Sequence, residues 1–106
     1  MTDTVVVLCT CPDHTSAKTV AEAALNTGLA GCVNILGGVS SLYHWQGELC
    51  EDSEWQLLIK APQHHFQALC DCIVSHHPYE VPEIIALPIV AAHSPYLAWL
   101  NEVTKT

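Results

Sequence analysis

Six cysteines and seven histidines stand among 106 residues, a supply of thiol and imidazole groups suited to soft and borderline transition metals. Their spacing is uneven. The stretch His76-His77-Pro78-Tyr79-Glu80-Val81-Pro82-Glu83 sets two imidazoles, a phenol and two carboxylates within eight residues. Proline disfavours helical backbone in the residue before it, so His77 and Val81 are expected to be extended and the loop stiff. Cys9 and Cys11 lie two apart in a β-branched run, which turns both side chains to one face of a strand. Cys70-x-Cys72 falls in a helical pattern, where two residues apart means about 200° and no shared ion. Neither pair has zinc-knuckle spacing. Cys32, Cys70 and Cys72 read as small packing residues, and Cys50 as a residue of a hairpin surface. His64 and His65 are expected at an exposed helix start.

Catalysis needs a nucleophile, a base and a group that stabilises developing charge. Cys9 with His77 supplies the first two in name only. With no arginine, no phosphate-binding glycine loop and no nucleophile elbow, the chain reads as a non-enzyme. Three basic residues against eleven acidic ones give a formal charge of −8, which argues against nucleic acid as a partner, since affinity there rests on neutralising phosphates. There is no basic start followed by an apolar core, and no run long enough to span a membrane. The expected compartment is the cytoplasm, with the cysteines reduced. Half of the residues are hydrophobic and 13% charged, a balance that leaves apolar surface for a subunit contact.

The elements that must position these groups follow from periodicity and punctuation. Thr4–Cys11 is apolar on both faces and reads as a central strand ended by Pro12. Asp13 or Thr15 caps a helix to about Asn26, with Ala17, Val20, Ala21, Ala24 and Leu25 as its stripe and Gly28 as its left-handed stop. Cys32 to Trp45 is a long strand with a bulge at Gly37-Gly38. Gln46-Gly47 turns it into a return strand, Glu48 to Lys60, that pairs Trp45 with Glu48 and Tyr43 with Cys50. There Trp55, Leu57 and Ile59 form the buried side, and Glu54 and Gln56 the solvent side. Each arm of about 13–14 residues spans roughly 45 Å at ~3.3 Å per residue, against a radius of gyration near ~13 Å for such a domain. The ribbon overhangs and carries Leu42, Tyr43 and Trp45, so it needs something to pair with. Pro62 opens a second helix, with Phe66, Leu69, Cys70 and Ile73 buried, which ends at about His76. A buried strand from Glu83 to about Ala91 and a short helix with Tyr96, Trp99 and Leu100 on one side complete the chain. The order β-α-β-β-α-β makes residues 1–106 one α+β, ferredoxin-like domain: an antiparallel sheet with helices on one face and a short C-terminal helix.

Several segments are specific rather than generic: Gly31-Cys32-Val33-Asn34-Ile35, Ser41-Leu42-Tyr43-His44-Trp45-Gln46-Gly47, Leu57-Leu58-Ile59-Lys60, His77-Pro78-Tyr79-Glu80-Val81-Pro82-Glu83-Ile84-Ile85-Ala86-Leu87-Pro88 and Tyr96-Leu97-Ala98-Trp99-Leu100. In this order, over nearly the whole chain, they resemble the CutA divalent-cation-tolerance family. The resemblance implies a ferredoxin-like subunit, a tight homotrimer similar in architecture to PII signalling proteins, and a role in tolerance of copper or other metals. It implies Cys9, His76 and His77 as ligands of a copper ion. Topology supports the placement, because first and last strands of such a sheet are antiparallel neighbours, which brings the His76-His77 loop toward Cys9 and Cys11. Cys11, on the same strand face, is the nearest substitute ligand. The alternative is a PII-like signalling or scaffolding module that binds a small ligand or protein partner without a metal role.

Overall fold

Strand β1, Thr4–Cys11, runs through the middle of the protein. In the computed structural model, which describes residues 2–104, it lies between a long hairpin strand and a short edge strand. Met1, Lys105 and Thr106, at the ends of the expected 1–106 domain, lie outside the described residues. Alternate β1 residues Val5, Val7, Cys9 and Cys11 are buried, while Val6, Leu8 and Thr10 on the other face are partly exposed.

Helix α1, His14–Asn26, begins where Asp13 is extended and its carboxylate accepts the Ser16 N–H at 2.7 Å. Its stripe of Ala17, Val20, Ala21 and Ala24 is buried, the small side chains allowing close approach to the sheet. Gly28, at φ 75°, turns the chain out of the helix, a conformation that side chains with a Cβ resist.

β2, Cys32–Trp45, and β3, Glu48–Pro62, form the predicted hairpin. Trp45 pairs with Glu48 and Tyr43 with Cys50, and the register shifts between Leu36 and Val39 at the two glycines. Both turn residues, Gln46 and Gly47, have positive φ, matching the twist of the flanking strands. Gly38 is in the left-handed region at φ 75°. At Gly37 a Cβ would stand 2.8 Å from the Trp55 indole, which lies across the backbone there. The hairpin gives the protein its long axis, in overall dimensions of 45 × 25 × 22 Å.

A 3-10 turn, Gln63–His65, leads into α2, Phe66–His76. Pro62 ends β3 ahead of that turn instead of opening the helix. His65 is buried, contrary to the exposed position expected, and its Nδ1 lies 3.0 Å from the Leu29 carbonyl. The segment after α1 folds over the start of α2, a contact that no local pattern encodes. Leu69 and Ile73 of α2 join α1, β1 and β3 in one core.

β4, Ile85–Pro88, pairs antiparallel with β1 from Val5↔Pro88 to Leu8↔Ile85. It is shorter than the expected Glu83-to-Ala91 strand and is an exposed edge, with Ile85 and Leu87 about half accessible. Pro88 lacks an N–H, and beyond it only Ile89 continues, giving its N–H to Thr4 and accepting from Thr2. The chain closes with α3, Ser94–Val103. Leu100 is buried, whereas Tyr96 and Trp99 pack together, ring centroids 5.7 Å apart, and stay partly exposed. The sheet order β2-β3-β1-β4, with three helices, is the ferredoxin-like α+β arrangement.

Candidate metal centre

Both thiols of β1 point into the helix-covered side of the sheet, and Cys9 and Cys11 are wholly buried. His77 reaches them because the helix stops one residue earlier. The backbone of His77 is extended, φ −89° and ψ 139°, as the following proline demands. Its side chain therefore leaves the axis of α2 and crosses to the end of β1. Thr4 gives its carbonyl to the β4 side of β1. Every second residue of an antiparallel strand points the same way, so the Thr10 carbonyl also faces that side, beyond the last β4 pair at Leu8. His77 Nε2 lies 2.8 Å from it and takes the place of the missing strand partner.

Cys9 Sγ, Cys11 Sγ and a His77 ring nitrogen lie within 4.8 Å of one another. Cys11 Sγ lies 3.5 Å from His77 Nε2. This is the one group of three such ligands found among the described residues. His76 is not in it. It remains on the last turn of α2, exposed, with Nδ1 2.8 Å from the Cys72 carbonyl and 3.1 Å from the Ser75 hydroxyl. Neighbouring helical residues diverge by about 100°, and the proline frees only His77. The structure thus brings Cys9, Cys11 and His77 together and leaves His76 apart from them.

The two thiols behave as a pair. Interaction with Cys11, burial and the carboxylates of Glu83 and Glu54 push the Cys9 pKa up. The same interaction, received from Cys9, draws the Cys11 pKa down, against burial and the charges of Asp13 and Glu54. Cys11 is therefore the first to become a thiolate and Cys9 keeps its proton. A surrounding of carboxylates opposes a second thiolate unless a cation compensates it.

The imidazole is held from both sides. The Tyr79 backbone N–H donates to His77 Nδ1 at 3.0 Å. In the neutral ring Nδ1 is then the acceptor and Nε2 carries the proton, which it gives to the Thr10 carbonyl. The thiols are a donor pair suited to a soft ion, but His77 in this state presents Nε2 as an N–H bonded to the Thr10 carbonyl, not as a lone pair. Tyr79 packs on the imidazole with ring centroids 4.9 Å apart, and its hydroxyl donates to Glu54 Oε2 at 2.7 Å.

Glu54 is 7% exposed, against the solvent-side position that strand alternation gave it. It lies on β3 one residue past the Cys11↔Trp55 pair, where the returning loop brings Tyr79 onto it. Burial and this bond raise the Tyr79 pKa. Neither Glu54 nor Tyr79 carried a local signal of pairing, since 25 residues separate them. Beside them an open groove of about 780 Å³ runs between the hairpin and the loop, lined by Tyr43, Trp45, Asp52, Glu54, Tyr79 and Glu83 among others. Tyr43 donates to Asp52 there, and its pKa is pushed up to about 12 by that bond.

Residues 5–103 match the family described as CutA1 divalent ion tolerance protein. A divalent-cation tolerance protein CutA of Salmonella newport is 46% identical over 99 residues, which cover 93% of this chain and 86% of the relative. The structure of a divalent cation tolerance protein, Cut A1, from Thermus thermophilus superposes with a TM-score of 0.91 at 47% identity, covering 93% of this chain and 96% of the other. A periplasmic divalent cation tolerance protein CutA from Archaeoglobus fulgidus superposes with a TM-score of 0.93 at 27% identity, covering 96% and 99%.

Proposed function

The chain belongs to the CutA1 divalent ion tolerance family, and from that premise we propose that it acts in metal tolerance as a homotrimer that binds copper at the Cys9–Cys11–His77 group. Family membership supports a metal-tolerance role. The observation that carries the finer reading is the convergence of two thiols and an imidazole within 4.8 Å, a donor set that selects soft ions. Bound there, copper is sequestered by thiolate ligands. This chain's residues bury it under α1 and α2, surround it with the charges of Asp13, Glu54 and Glu83, and release the thiol protons on loading. His76, on the surface of α2, takes no part in this ligand set. The role is binding, not catalysis.

We place the protein in the cytoplasm, where six free thiols stay reduced. Among the described residues no helix is long and apolar enough to cross a membrane. The trimer is supported by the apolar side chains the single chain leaves open, with Leu42, Trp45 and Leu49 each more than 60% exposed. Residues 1–106 act as one domain.

Titration with copper(I) and copper(II) against a competing chelator tests the site. Cys9→Ser with Cys11→Ser is expected to weaken copper(I) binding by at least about tenfold, since even residues that only support a ligand cost that much. Wild-type affinity in that double variant rejects the assignment. The groove beside the site favours a second reading, a module that takes a small ligand or partner independently of metal. Capture of a defined partner by metal-free protein, undiminished in the double variant, supports that reading instead.

A further inference from the structure

We propose that Tyr79 is a selectivity-determining residue of the Cys9–Cys11–His77 group, which it biases toward ions that need only the two thiolates. The inference rests on the metal reading above.

Its basis is the direction of three hydrogen bonds. Tyr79 N–H points at His77 Nδ1 from 3.0 Å, so that nitrogen must offer a lone pair. The ring proton is left on Nε2, directed at the Thr10 carbonyl 2.8 Å away. Nε2 is also the nitrogen 3.5 Å from Cys11 Sγ. For His77 to ligate through Nε2, that proton must be lost and Nδ1 must take one up, which sets N–H against N–H at Tyr79. Turning the ring over also breaks the Tyr79 bond. Either way, His77 gives up both of its present hydrogen bonds.

Tyr79 resists the change because it is anchored at its other end. Its ring packs against the imidazole at 4.9 Å, and its hydroxyl is held by the buried Glu54 carboxylate at 2.7 Å. A loop that moves to accommodate a reoriented His77 strains or breaks that charge-assisted bond, one of the stronger kinds in a protein. The thiols are not held by that latch. Their sulfurs lie within 4.8 Å of each other, close to the about 4.6 Å that two metal–sulfur bonds of about 2.3 Å can span. Copper(I) accepts a coordination shell of few soft ligands. Zinc requires four, imidazole among the usual ones. The latch therefore favours copper(I) over zinc(II), and Tyr79 exerts that preference without touching the ion.

The test compares wild type with Tyr79→Phe, which keeps the ring and the backbone N–H and removes only the anchor to Glu54. Competition titrations with copper(I) and with zinc(II) give the ratio of affinities, and cobalt(II) reports by its absorption spectrum whether an imidazole has joined the thiolates. Zinc and cobalt binding are expected to tighten about tenfold in Tyr79→Phe, the equivalent of one hydrogen bond to a charged acceptor. Copper(I) binding is expected to stay within about twofold, because its thiolate ligands are unaffected. Unchanged zinc affinity, or equal shifts for both ions, overturns the proposal. In metal-free wild type, side-chain 15N shifts are expected to show His77 protonated at Nε2; protonation at Nδ1 overturns it independently. Copper(I) and zinc bound with wild-type affinity by the Cys9→Ser, Cys11→Ser double variant overturn the metal reading itself, and the inference with it.

Discussion

Asp13 shows how one side chain serves both fold and site. Its carboxylate accepts the Ser16 N–H at 2.7 Å, satisfying one of the free donors at the start of α1, and it stands next to Cys11 in the electrostatics of the thiol pair. The backbone bond from Ser16, with the Ser16 side chain adding to it, lowers the Asp13 pKa below its ordinary 3.8. A depressed folded value means that the ionised carboxylate stabilises the fold in full above the ordinary value, and that this contribution is lost as pH falls through the lower folded value. Asp13→Ala is expected to melt a few degrees below wild type at neutral pH, and the gap should close in acid. Asp13→Asn, a neutral cap, should recover most of the loss without the acid dependence. Circular dichroism melts between neutral pH and about pH 2.5 check this. A gap that persists below the folded pKa would show that Asp13 acts by packing. Cys11 and His77 are the other residues on which the site turns, and each depends on a local rule: strand alternation for the thiol, the pre-proline break for the imidazole.

The hairpin is the element that most shapes the molecule, and its two inner glycines do different work. Gly38 meets no neighbour within 4 Å where a Cβ would stand, but its φ is 75°. Gly37 has ordinary backbone and a Trp55 indole 2.8 Å from the same position. Gly38→Ala is expected to cost about 1–2 kcal/mol through left-handed strain, and Gly37→Ala about 1–3 kcal/mol through overpacking. The second loss should be relieved by Trp55→Leu in the same chain, whereas the first should not. Denaturant midpoints of the single and double variants at one protein concentration give the comparison. Additive losses for Gly37→Ala with Trp55→Leu would remove the packing explanation. The sequence signalled a bulge at both glycines, since paired glycines inside a strand have few other reasons. It did not distinguish them, because the indole that covers Gly37 comes from the opposite strand.

For the whole molecule, the surface that matters most is the one a single chain leaves apolar. Leu42, Trp45 and Leu49 near the hairpin tip are 62%, 63% and 70% exposed, and β4 is an open edge bearing Ile85 and Leu87. Exposed apolar side chains of this kind are what the proposed trimer would cover. Trp45→Ala is therefore expected to weaken the proposed trimer by tenfold or more, about 1.4 kcal/mol or above per contact, as truncated interface tryptophans do. Trp99→Ala should weaken it less, because Trp99 packs on Tyr96 within its own α3. Sedimentation velocity over a dilution series measures both. A wild-type monomer of 11.5 kDa at micromolar concentration, or equal losses in the two variants, contradicts the expectation.

What the sequence determined by itself was everything governed by neighbours along the chain. Alternation and Pro12 define β1, Asp13 and Gly28 bracket α1, Gln46-Gly47 sets the hairpin register, and Pro78 ends α2 and extends His77. These follow from backbone sterics and hydrogen bonding within a few residues, which any copy of the segment would obey. Tertiary structure alone decided which surfaces meet. It buried His65 against the Leu29 carbonyl and Glu54 beneath Tyr79, and cut β4 to four residues. It left His76 on the helix surface and set His77 beside the Cys9–Cys11 pair. The Tyr79 N–H to His77 Nδ1 bond is local, but the other contacts that hold the site join groups 25 to 67 residues apart, from Tyr79 on Glu54 to His77 on Thr10. They depend on the pairing that a short edge strand leaves for an imidazole to complete. No local pattern carries that information, because the partner that satisfies a buried polar group is chosen by the packed fold.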